Sequence, residues 1–185
     1  MKQVKKISGV RMMLVAAQIE HAEFILSLRS QERKSRFLSG QSSTLAQQID
    51  WMRQRDLLIN DAYFVICEIC QPDEPLGTIR LHDAILEKNS IRVSSWVMRD
   101  GVPPKKTLEA LALAIDYIMH SSYSICHFEV HKHSQSALRL YTKLGTEIVG
   151  ESANTFLLSC SPTTFLKNMA LTYRLPIQHI QNIDV

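Results

Sequence analysis

Three groups of residues in this sequence have side chains that could carry out group-transfer or metal chemistry. The first is Tyr141, which lies in segment 134–144, where apolar residues recur at helical spacing. Ala137, Tyr141 and Leu144 share one side of the predicted helix, because steps of three and four residues return to the same face. A phenol has an ordinary pKa of about 10, so Tyr141 would hold a proton at neutral pH and could donate it. The alternative is a tyrosine that only packs in the core.

The second group is a pair of lysines, Lys105 and Lys106, at the predicted start of a long helix. A strand-like run, 91–98, leads into a loop with one glycine and two prolines, and apolar residues then follow at helical spacing. This pattern predicts a helix with one face packed on a sheet. Proline suits the first turn of a helix, and the free amides of that turn would face the loop with partial positive charge. The segment therefore predicts an anion site, with a plain crossover helix as the alternative.

The third group consists of cysteines and histidines. Cys67 and Cys70 form a C-x-x-C pattern inside a predicted strand. Residues three apart on a strand point to opposite faces, so the pair is predicted to be buried structural thiols in a reducing compartment. His131 and His133 lie just after another predicted strand, 125–130, which contains Cys126, and these three residues could form a metal site. No second dense ligand cluster supports that hypothesis, and we predict no metal.

The composition indicates a single globular domain. The chain has 185 residues, of which 45% are hydrophobic and 21% charged, with a net charge of +3. That length suffices for one domain with its own core, so we assign 1–185 to one domain with a tail, 170–185, of undefined role. The positive charge suits an anionic ligand but is too small and scattered to indicate nucleic acid binding. No apolar stretch is long enough to cross a bilayer, and we expect a cytoplasmic protein.

Periodicity predicts an ordered series of helices and strands. Strands are predicted at 10–15, 62–70, 77–82, 91–98, 125–130, 147–150 and 154–158. Helices are predicted at 18–29, 44–55, from near Lys105 or Lys106 onward, 134–144 and 162–169, with a loop at 30–41 and turns at 71–75 and 83–89. Ser42 and Ser43 are candidate caps for the second helix, and Gly145 is expected to end the fourth. This order predicts an α/β (α+β) fold, with a mixed, mostly antiparallel central sheet and helices on both faces.

The second predicted helix, 44–55, has an apolar stripe of three residues. Leu45, Ile49 and Met52 are expected to face inward. Trp51 lies off that stripe. It either packs at the rim of the domain or lines a pocket.

Segment 130–145 resembles the late motif of the GNAT family, the GCN5-related N-acetyltransferases. The segment reads VHKHSQSALRLYTKLG, and the family motif is V-x-x-x-N-x-x-A-x-x-x-Y-x-K-x-G. The residues that agree are Val130, Ala137, Tyr141, Lys143 and Gly145. Ser134 replaces the usual asparagine and offers one hydroxyl in place of an amide. The resemblance spans residues 8–160.

A second resemblance lies at the start of the long helix, where the family has a phosphate loop of the form Q/R-x-x-G-x-G/A. Aligned through 108–110, that pattern falls on 102–107, with Val102 at the Q/R position and Lys105 at a glycine position. Glycine allows close approach of the backbone to a pyrophosphate, whereas a lysine would offer its ammonium group. The resemblance implies that Lys105, Lys106 and Thr107 bind the pyrophosphate of acetyl-CoA. It also implies cofactor contacts from the main chain of Val97, Met98 and Arg99, and from Ser134, Ala137 and Lys143.

The family's chemistry implies roles for a few residues. In GNAT enzymes an amine attacks the thioester directly, a backbone amide polarises the carbonyl, and an acid protonates the departing thiolate. The resemblance places that amide near Val97 or Met98 and makes Tyr141 the acid candidate. The general base stays open, with water and six side chains as candidates: Glu68, His82, Asp83, Glu129, His131 and His133.

Two short segments indicate the class of acceptor. Segments 25–29 and 48–52 are similar to GNAT members that acetylate amino groups on activated sugars. We therefore expect an acetyl-CoA-dependent N-acetyltransferase that acts on a small-molecule primary amine, without nucleic acid or membrane partners, and we leave a homodimer open. The alternatives are a catalytically silent acyl-CoA-binding module and a protein or peptide N-acetyltransferase.

Overall fold

The computed structural model describes residues 4–30, 44–56, 58, 60–121, 123–174 and 182–184. Within these residues the strands are β1 (Lys6–Ser8), β2 (Met12–Ala16), β3 (Ala62–Glu68), β4 (Gly77–Ile85), β5 (Ser90–Met98), β6 (Ile125–His131), β7 (Glu147–Glu151), β8 (Thr155–Cys160) and β9 (Asn182–Asp184). The helices are α1 (Ala22–Arg29), α2 (Leu45–Asp56), α3 (Pro104–His120), α4 (Gln135–Lys143) and α5 (Pro162–Tyr173). Short 3-10 turns occupy Ile19–His21 and Leu86–Lys88. No described helix is long and apolar enough to cross a lipid bilayer.

The strands form one sheet in the order β7-β8-β6-β5-β4-β3-β2-β1-β9. Pairing between β5 and β6 is parallel, and all other neighbouring strands pair antiparallel. Helix α3 makes the crossover between the two parallel strands, as a parallel pair requires. The predicted fold class, a mixed and mostly antiparallel sheet with helices on both faces, is confirmed.

Alternating side chains divide the sheet into two faces with different cores. The larger core joins the sheet to α3 and α5 and contains Ile79, Leu81, Ile91, Val93 and Phe128, among others. Tyr141 and Leu144 bring α4 to this same face. The smaller core joins β2 and β3 to α1 and α2. Because residues two apart on a strand share a face, the residues between these core positions on β4 and β5 point toward the α1 and α2 side.

The two ends of the chain differ from the sequence-based expectation. The first predicted strand, 10–15, is in fact β2, beginning at Met12, and a short strand β1 precedes it in a hairpin. The predicted tail, 170–185, is not one unstructured segment: its first residues complete α5, and Asn182–Asp184 forms β9 against β1. A three-residue strand has no periodicity of its own, so only its partner defines it. Of the predicted loop at 30–41, Ser30 is described and follows α1 directly, while the rest of the loop and the predicted caps Ser42 and Ser43 lie outside the described residues.

Two local predictions were wrong for identifiable reasons. In α2, Met52 is buried and Ile49 packs against the smaller core as predicted, but Leu45 is exposed, and the polar Gln48 and Arg55 are buried. Arg55 is buried because its guanidinium pairs with Asp56 and Asp61. The predicted turn 83–89 instead continues β4 to Ile85 and ends in a 3-10 turn, because β4 extends to pair with the start of β5.

Helix α3 is fixed to the sheet by a buried carboxylate, that of Glu109. Its Oε1 accepts the backbone amides of Arg11 and Met12 at 2.9 and 3.2 Å. Its Oε2 accepts Nε and Nη2 of Arg11 at 2.8 and 2.7 Å. A buried carboxylate is tolerated when it is paired and its lone pairs are filled, as here. The contact therefore holds the first turns of α3 against the start of β2.

We predict that Glu109→Ala destabilises the fold by about 3–5 kcal/mol, because the substitution leaves two backbone amides and a guanidinium without their acceptor. The matched control is Glu151→Ala, which removes an exposed carboxylate that pairs with Lys132 at 2.9 Å. That change should cost less than about 1 kcal/mol, since exposed ion pairs contribute little. Urea unfolding of both variants measures the difference, and equal losses would contradict the anchoring role.

Candidate functional site

The sheet opens between its two parallel strands. Strand β5 pairs with β6 from Ser90↔Ile125 to Val93↔Phe128 and no further. Beyond that point 94–98 pairs only with β4, and 129–131 pairs only with β8. The backbones of β5 and β6 are therefore unpaired toward each other over these residues. Since unpaired strand edges offer hydrogen-bonding groups, an extended ligand could lie in this opening.

A β-bulge in β5 lies at the narrow end of the opening. The register with β4 shifts between Arg80↔Ser94 and Thr78↔Val97, so Ser95 and Trp96 lie opposite one residue. Ser95 has a positive φ of 48°, which is uncommon for a residue with a Cβ. Its carbonyl accepts the Thr78 hydroxyl at 2.8 Å, and its own hydroxyl accepts Nη1 of Arg29 at 3.2 Å. These contacts hold β5 in the bent course that separates it from β6.

The backbone of Met98 faces the opening. The Arg99 amide donates to the Leu76 carbonyl at 2.7 Å, and Val97 is paired with Thr78. Because backbone groups alternate in direction along a strand, Met98 directs its amide and carbonyl away from β4. The resemblance implied that the main chain of Val97, Met98 and Arg99 contacts the cofactor. Val97 and Arg99 direct their backbone groups toward β4. Of these three residues, only Met98 presents its main chain to the opening.

The loop that follows β5 leads into the start of α3. Gly101 adopts φ +84°, and Pro103 occupies the position before the helix, with Pro104 in the first turn. The amides of Lys106 and Thr107 both donate to the Pro103 carbonyl, at 3.0 and 3.1 Å. The Lys105 amide has no acceptor among the described residues. Several free amides were predicted in this turn, but among the described residues only the Lys105 amide is without an acceptor.

The two lysines of α3 have different surroundings. Nζ of Lys106 pairs with Oε1 of Glu68 at 2.6 Å, which ties the helix start to the end of β3. Lys105 is exposed beside its free amide. No acidic side chain lies in the first turn of α3, so the partial positive charge of the helix start is not neutralised there. Lys105 thus presents an exposed charge beside an amide that has no acceptor among the described residues, while the charge of Lys106 is already partnered.

Tyr141 lies on the α3 side of the opening, at its narrow end. Its ring centroid is 4.7 Å from that of Phe128, the last β6 residue paired with β5, and 6.4 Å from that of Trp96. The tyrosine is almost fully buried, and burial raises its pKa well above the usual range. The phenol therefore keeps its proton at neutral pH. Trp96, which the sequence did not single out, buries its Nε1 without a partner among the described residues.

Helix α4 carries the other residues of the late motif. Ser134 immediately precedes the helix, and its backbone carbonyl accepts the Leu138 amide at 3.0 Å. Ala137 packs against the larger core. Lys143 is exposed in the last turn, about 13 Å along the helix axis from Ser134. Ser134 and Lys143 therefore cannot contact the same part of a ligand.

The opposite face of the opening is polar. Thr78 and Arg80 of β4 and Ser94 of β5 point to the α1 and α2 side, because their neighbours Ile79 and Val93 point into the larger core. The Arg80 guanidinium binds the Asp61 carboxylate, with Nε at 3.1 Å from both oxygens. The Asp61 side chain is 2% exposed and also pairs with Arg55 at 3.6 Å. Its negative charge is therefore already balanced.

Aromatic side chains border this polar face. The Trp51 ring meets Tyr63 edge-on with centroids 5.6 Å apart, and the Arg80 guanidinium lies 5.1 Å from the Trp51 ring centroid. Burial raises the pKa of Tyr63, and the nearby Arg29 guanidinium opposes that shift. Trp51 thus packs at the rim of the domain and at the same time borders the polar face.

Among the six predicted base candidates, His82 and Asp83 lie next to Ser94. Nε2 of His82 is 2.8 Å from the Ser94 hydroxyl, and its Nδ1 is 3.0 Å from the Asp83 carboxylate. The other four lie elsewhere. Glu68 pairs with Lys106, and Glu129 pairs with Arg92 at 3.4 Å. His131 and His133 lie with ring centroids 5.4 Å apart at the end of β6.

The cysteines do not form a metal site in the described part of the chain. Cys67 is buried under α1 and α2, and burial raises the pKa of its thiol to about 11. The prediction of a buried thiol is wrong for Cys70, which is exposed because β3 ends at Glu68 and the chain turns away there. Cys126 is buried in the larger core, on the face of β6 opposite to His131. No group of three or more His, Cys, Asp or Glu residues that could hold a metal ion occurs among the described residues.

The sequence of this chain matches a family model described as an acetyltransferase (GNAT) domain over residues 11–147. The chain belongs to the GNAT acetyltransferase family. As the late motif and the order of elements implied, it is an N-acetyltransferase. No curated protein matches the sequence.

Solved structures of GNAT proteins share this fold at low sequence identity. One described as an apo nucleotide-linked sugar GNAT, FdhC, has a TM-score of 0.76 and 21% identity, covering 91% of this chain and 96% of its own. The Vibrio cholerae spermidine N-acetyltransferase, in complex with CoA and spermine, has a TM-score of 0.71 and 13% identity, covering 84% and 98%. The ribosomal L7/L12 α-N-protein acetyltransferase RimL has a TM-score of 0.71 and 11% identity, covering 85% and 94%. At these identities the likeness concerns the fold alone.

Proposed function

We propose that this GNAT protein transfers an acetyl group from acetyl-CoA directly to the primary amine of a small molecule, for which an amino sugar is the leading candidate. The observation that carries the proposal is the opening between β5 and β6. A main-chain edge at Met98 borders it, and the basic start of α3 follows that edge by way of a short loop. A buried phenol closes the narrow end from one face, and polar side chains border it from the other. Such an opening suits the extended arm of acetyl-CoA, which joins the pyrophosphate to the thioester carbonyl that reacts.

In this proposal the residues of α3 and β5 hold the acetyl donor. Lys105 contributes its amide and its ammonium group to the pyrophosphate, and the α3 dipole adds to both. The Met98 main chain hydrogen bonds along the pantetheine arm. Lys106 acts mainly through Glu68, by fixing the first turn of α3 relative to β3.

Tyr141 is the proposed proton donor to the CoA thiolate. Because burial raises its pKa, the phenol is neutral when the reaction begins and cannot serve as the base. Its contacts with Phe128 and Trp96 place it where β5 and β6 part. A thiolate that leaves toward the α4 side would therefore meet the phenol before bulk water.

Charge on the polar face favours a small amine over a polyamine. Polyamines carry several positive charges and need carboxylates to balance them. Here the buried Asp61 carboxylate is already bound by Arg80 and Arg55. The bordering Trp51 ring is only partly buried and offers a surface of the kind on which a sugar ring packs. An amino sugar, free or nucleotide-linked, suits such a surface better than spermidine does.

We expect Lys105→Ala to weaken CoA binding several-fold, because the substitution removes the exposed ammonium group at the α3 start. Lys106→Ala should weaken binding less, since its charge is already paired. Lys167→Ala, which removes an exposed lysine from α5, is the matched control and should leave affinity unchanged. Calorimetry with CoA at low and high salt measures all three. No CoA binding to the wild type would refute the acetyl-donor proposal.

Tyr141→Phe keeps the ring and its packing but removes the proton donor. We expect CoA affinity and melting temperature to be preserved and kcat to fall by about a hundredfold, the scale for loss of a positioned acid. Thiol release measured with a chromogenic disulfide gives kcat. An unchanged kcat would show that Tyr141 is a core residue and that water protonates the thiolate.

The acceptor class is tested with a panel of four amines: a free amino sugar, a nucleotide-linked amino sugar, spermidine and a peptide with a free N-terminus. We expect the highest kcat/KM with one of the two sugars, because the polar face offers no unpaired buried carboxylate among its described residues. Strong turnover of the peptide alone would instead support a protein N-acetyltransferase. CoA binding without turnover of any amine would support a silent acyl-CoA-binding module.

A further inference from the structure

His82 and Ser94 are diagonal neighbours on the polar face of the sheet. In the register of β4 and β5, Arg80 is opposite Ser94 and His82 is opposite Arg92. Side chains at such diagonal positions on one face lie within reach of each other. The distance of 2.8 Å between Nε2 of His82 and Oγ of Ser94 is that of a hydrogen bond.

The Asp83 carboxylate fixes the tautomer of His82. Its Oδ1 lies 3.0 Å from Nδ1 of the imidazole, and a carboxylate can only accept there. Nδ1 therefore carries the proton, and Nε2 is left with a lone pair directed at the Ser94 hydroxyl. Asp83 adopts a positive φ of 51° and also lies 3.7 Å from Nε of Arg92. The three side chains thus form one hydrogen-bonded chain that ends at Ser94.

The surroundings keep His82 neutral. The side chain is 13% exposed, and burial lowers its pKa below the ordinary value, an effect that Asp83 opposes and the Arg80 guanidinium reinforces. Asp61 opposes it from farther away. From the neighbouring elements, β5 contributes Arg92 and Ser94, and α1 contributes Arg29, which binds Ser95. A neutral imidazole at neutral pH is able to accept a proton.

Ser94 lies at the level where the sheet opens. Val93, the residue before it, makes the last pair with β6, and that pair is with Phe128. The ring of Tyr141 packs on Phe128 from the other face. Ser94 and Tyr141 therefore border the narrow end of the opening from opposite faces of the sheet. A base on one face and an acid on the other are what a reaction needs when the nucleophile enters from one side and the leaving group departs on the other.

From this juxtaposition we propose that Ser94, His82 and Asp83 form the proton relay that takes the proton from the acceptor amine. The inference rests on the proposed acetyl transfer and identifies the general base that the sequence left open. Ser94 is the group that touches the amine, His82 is the base, and Asp83 is a positioning residue that acts through His82.

The proton balance of the step is complete with the groups named. As the amine nitrogen forms its bond to the thioester carbon, its proton moves to Oγ of Ser94, and the Ser94 proton moves to Nε2 of His82. The imidazolium that results is stabilised by Asp83. When the carbon–sulfur bond breaks, the sulfur takes the electron pair and receives the Tyr141 proton. His82 then releases a proton and Tyr141 regains one, both through solvent, so amine and acetyl-CoA give amide and free CoA.

The test measures kcat with acetyl-CoA and whichever panel amine the wild type turns over fastest. We expect His82→Gln to lower kcat by about a hundredfold, the scale for loss of a general base. Asp83→Asn should lower it by about tenfold, because an amide no longer holds the imidazole in the required tautomer. Calorimetry should give unchanged CoA affinity for both variants, since none of the three groups faces the α3 start.

The matched control is His127→Gln. His127 lies on the same sheet face in the neighbouring strand β6, opposite Arg92, and burial lowers its pKa as well. His127 lies in the part of β6 that is still paired with β5, outside the opening, so its replacement should change kcat by less than about twofold. Below the pKa of His82 the wild-type kcat should fall about tenfold per pH unit, and this decline should be absent in His82→Gln.

The results of these measurements distinguish the proton relay from the proposed acetyl transfer. A hundredfold loss in His82→Gln, with the acidic decline removed and CoA affinity retained, supports the relay. Wild-type activity together with an unchanged kcat in His82→Gln and Asp83→Asn overturns the relay and leaves the proposed function intact. If His82→Gln melts below the assay temperature, Asp83→Asn decides, because its side chain is 57% exposed and asparagine tolerates a positive φ. A wild type without turnover of any panel amine overturns the proposed function and this inference together.

Discussion

The parting of strands β5 and β6 is the feature on which the rest of this site depends. Two parallel strands that begin as a regular pair diverge after Val93, and the bulge at Ser95 turns β5 away. Thr78 and Arg29 hold that bulge by hydrogen bonds to the Ser95 carbonyl and hydroxyl. Because the bent course is fixed by its own contacts, the opening is preformed and does not require a ligand to create it.

The opening joins two chemical environments that are otherwise separated by the sheet. On the α3 side, Phe128, Tyr141 and Phe165 form a continuous aromatic packing in which a phenol cannot ionise at neutral pH. On the α1 and α2 side, the side chains are polar and largely paired with one another. Burial raises the pKa of Tyr141 on one face and lowers the pKa of His82 on the other. A proton donor and a proton acceptor can therefore lie at the same level of the sheet without sharing a group.

Buried polar contacts give this arrangement its rigidity. Glu109 joins α3 to the start of β2, and Lys106 joins the same helix to the end of β3 through Glu68. Asp61, bound by Arg55 and Arg80, joins α2 to β4. Each carboxylate would be costly if it lost its partner, so these contacts favour one position of each helix on the sheet. The basic start of α3 and the polar face are thus held at fixed positions relative to the opening.

Most periodic segments were predicted within one or two residues, because their burial repeats along the chain, but α1 begins four residues after the predicted start at 18 and α5 ends four residues after the predicted end at 169. The start of α3 was expected near Lys105 or Lys106 and lies at Pro104, and Gly145 ends α4 with φ +87° as a glycine allows. In α2 the inward position of Leu45 was predicted incorrectly, and the burial of Arg55 was missed because it depends on carboxylates that include Asp61, beyond the helix. Strands β1 and β9 were missed for the same reason: three residues become a strand only through the partner they meet.

The family, the order of elements from β2 to α5, the basic start of α3 and the tyrosine of α4 all follow from the sequence alone, because motif spacing and hydrophobic period are local properties of the chain. The sequence named six side chains as candidates for the base and could not choose among them. Tertiary structure separated them: strand register places His82 diagonally beside Ser94, whereas Glu68 and Glu129 are partnered by Lys106 and Arg92. Trp96 and the free edge of Met98 also became apparent only in the fold. Which residues face each other across a sheet depends on register and on the bulge, and neither is encoded by a period within one segment.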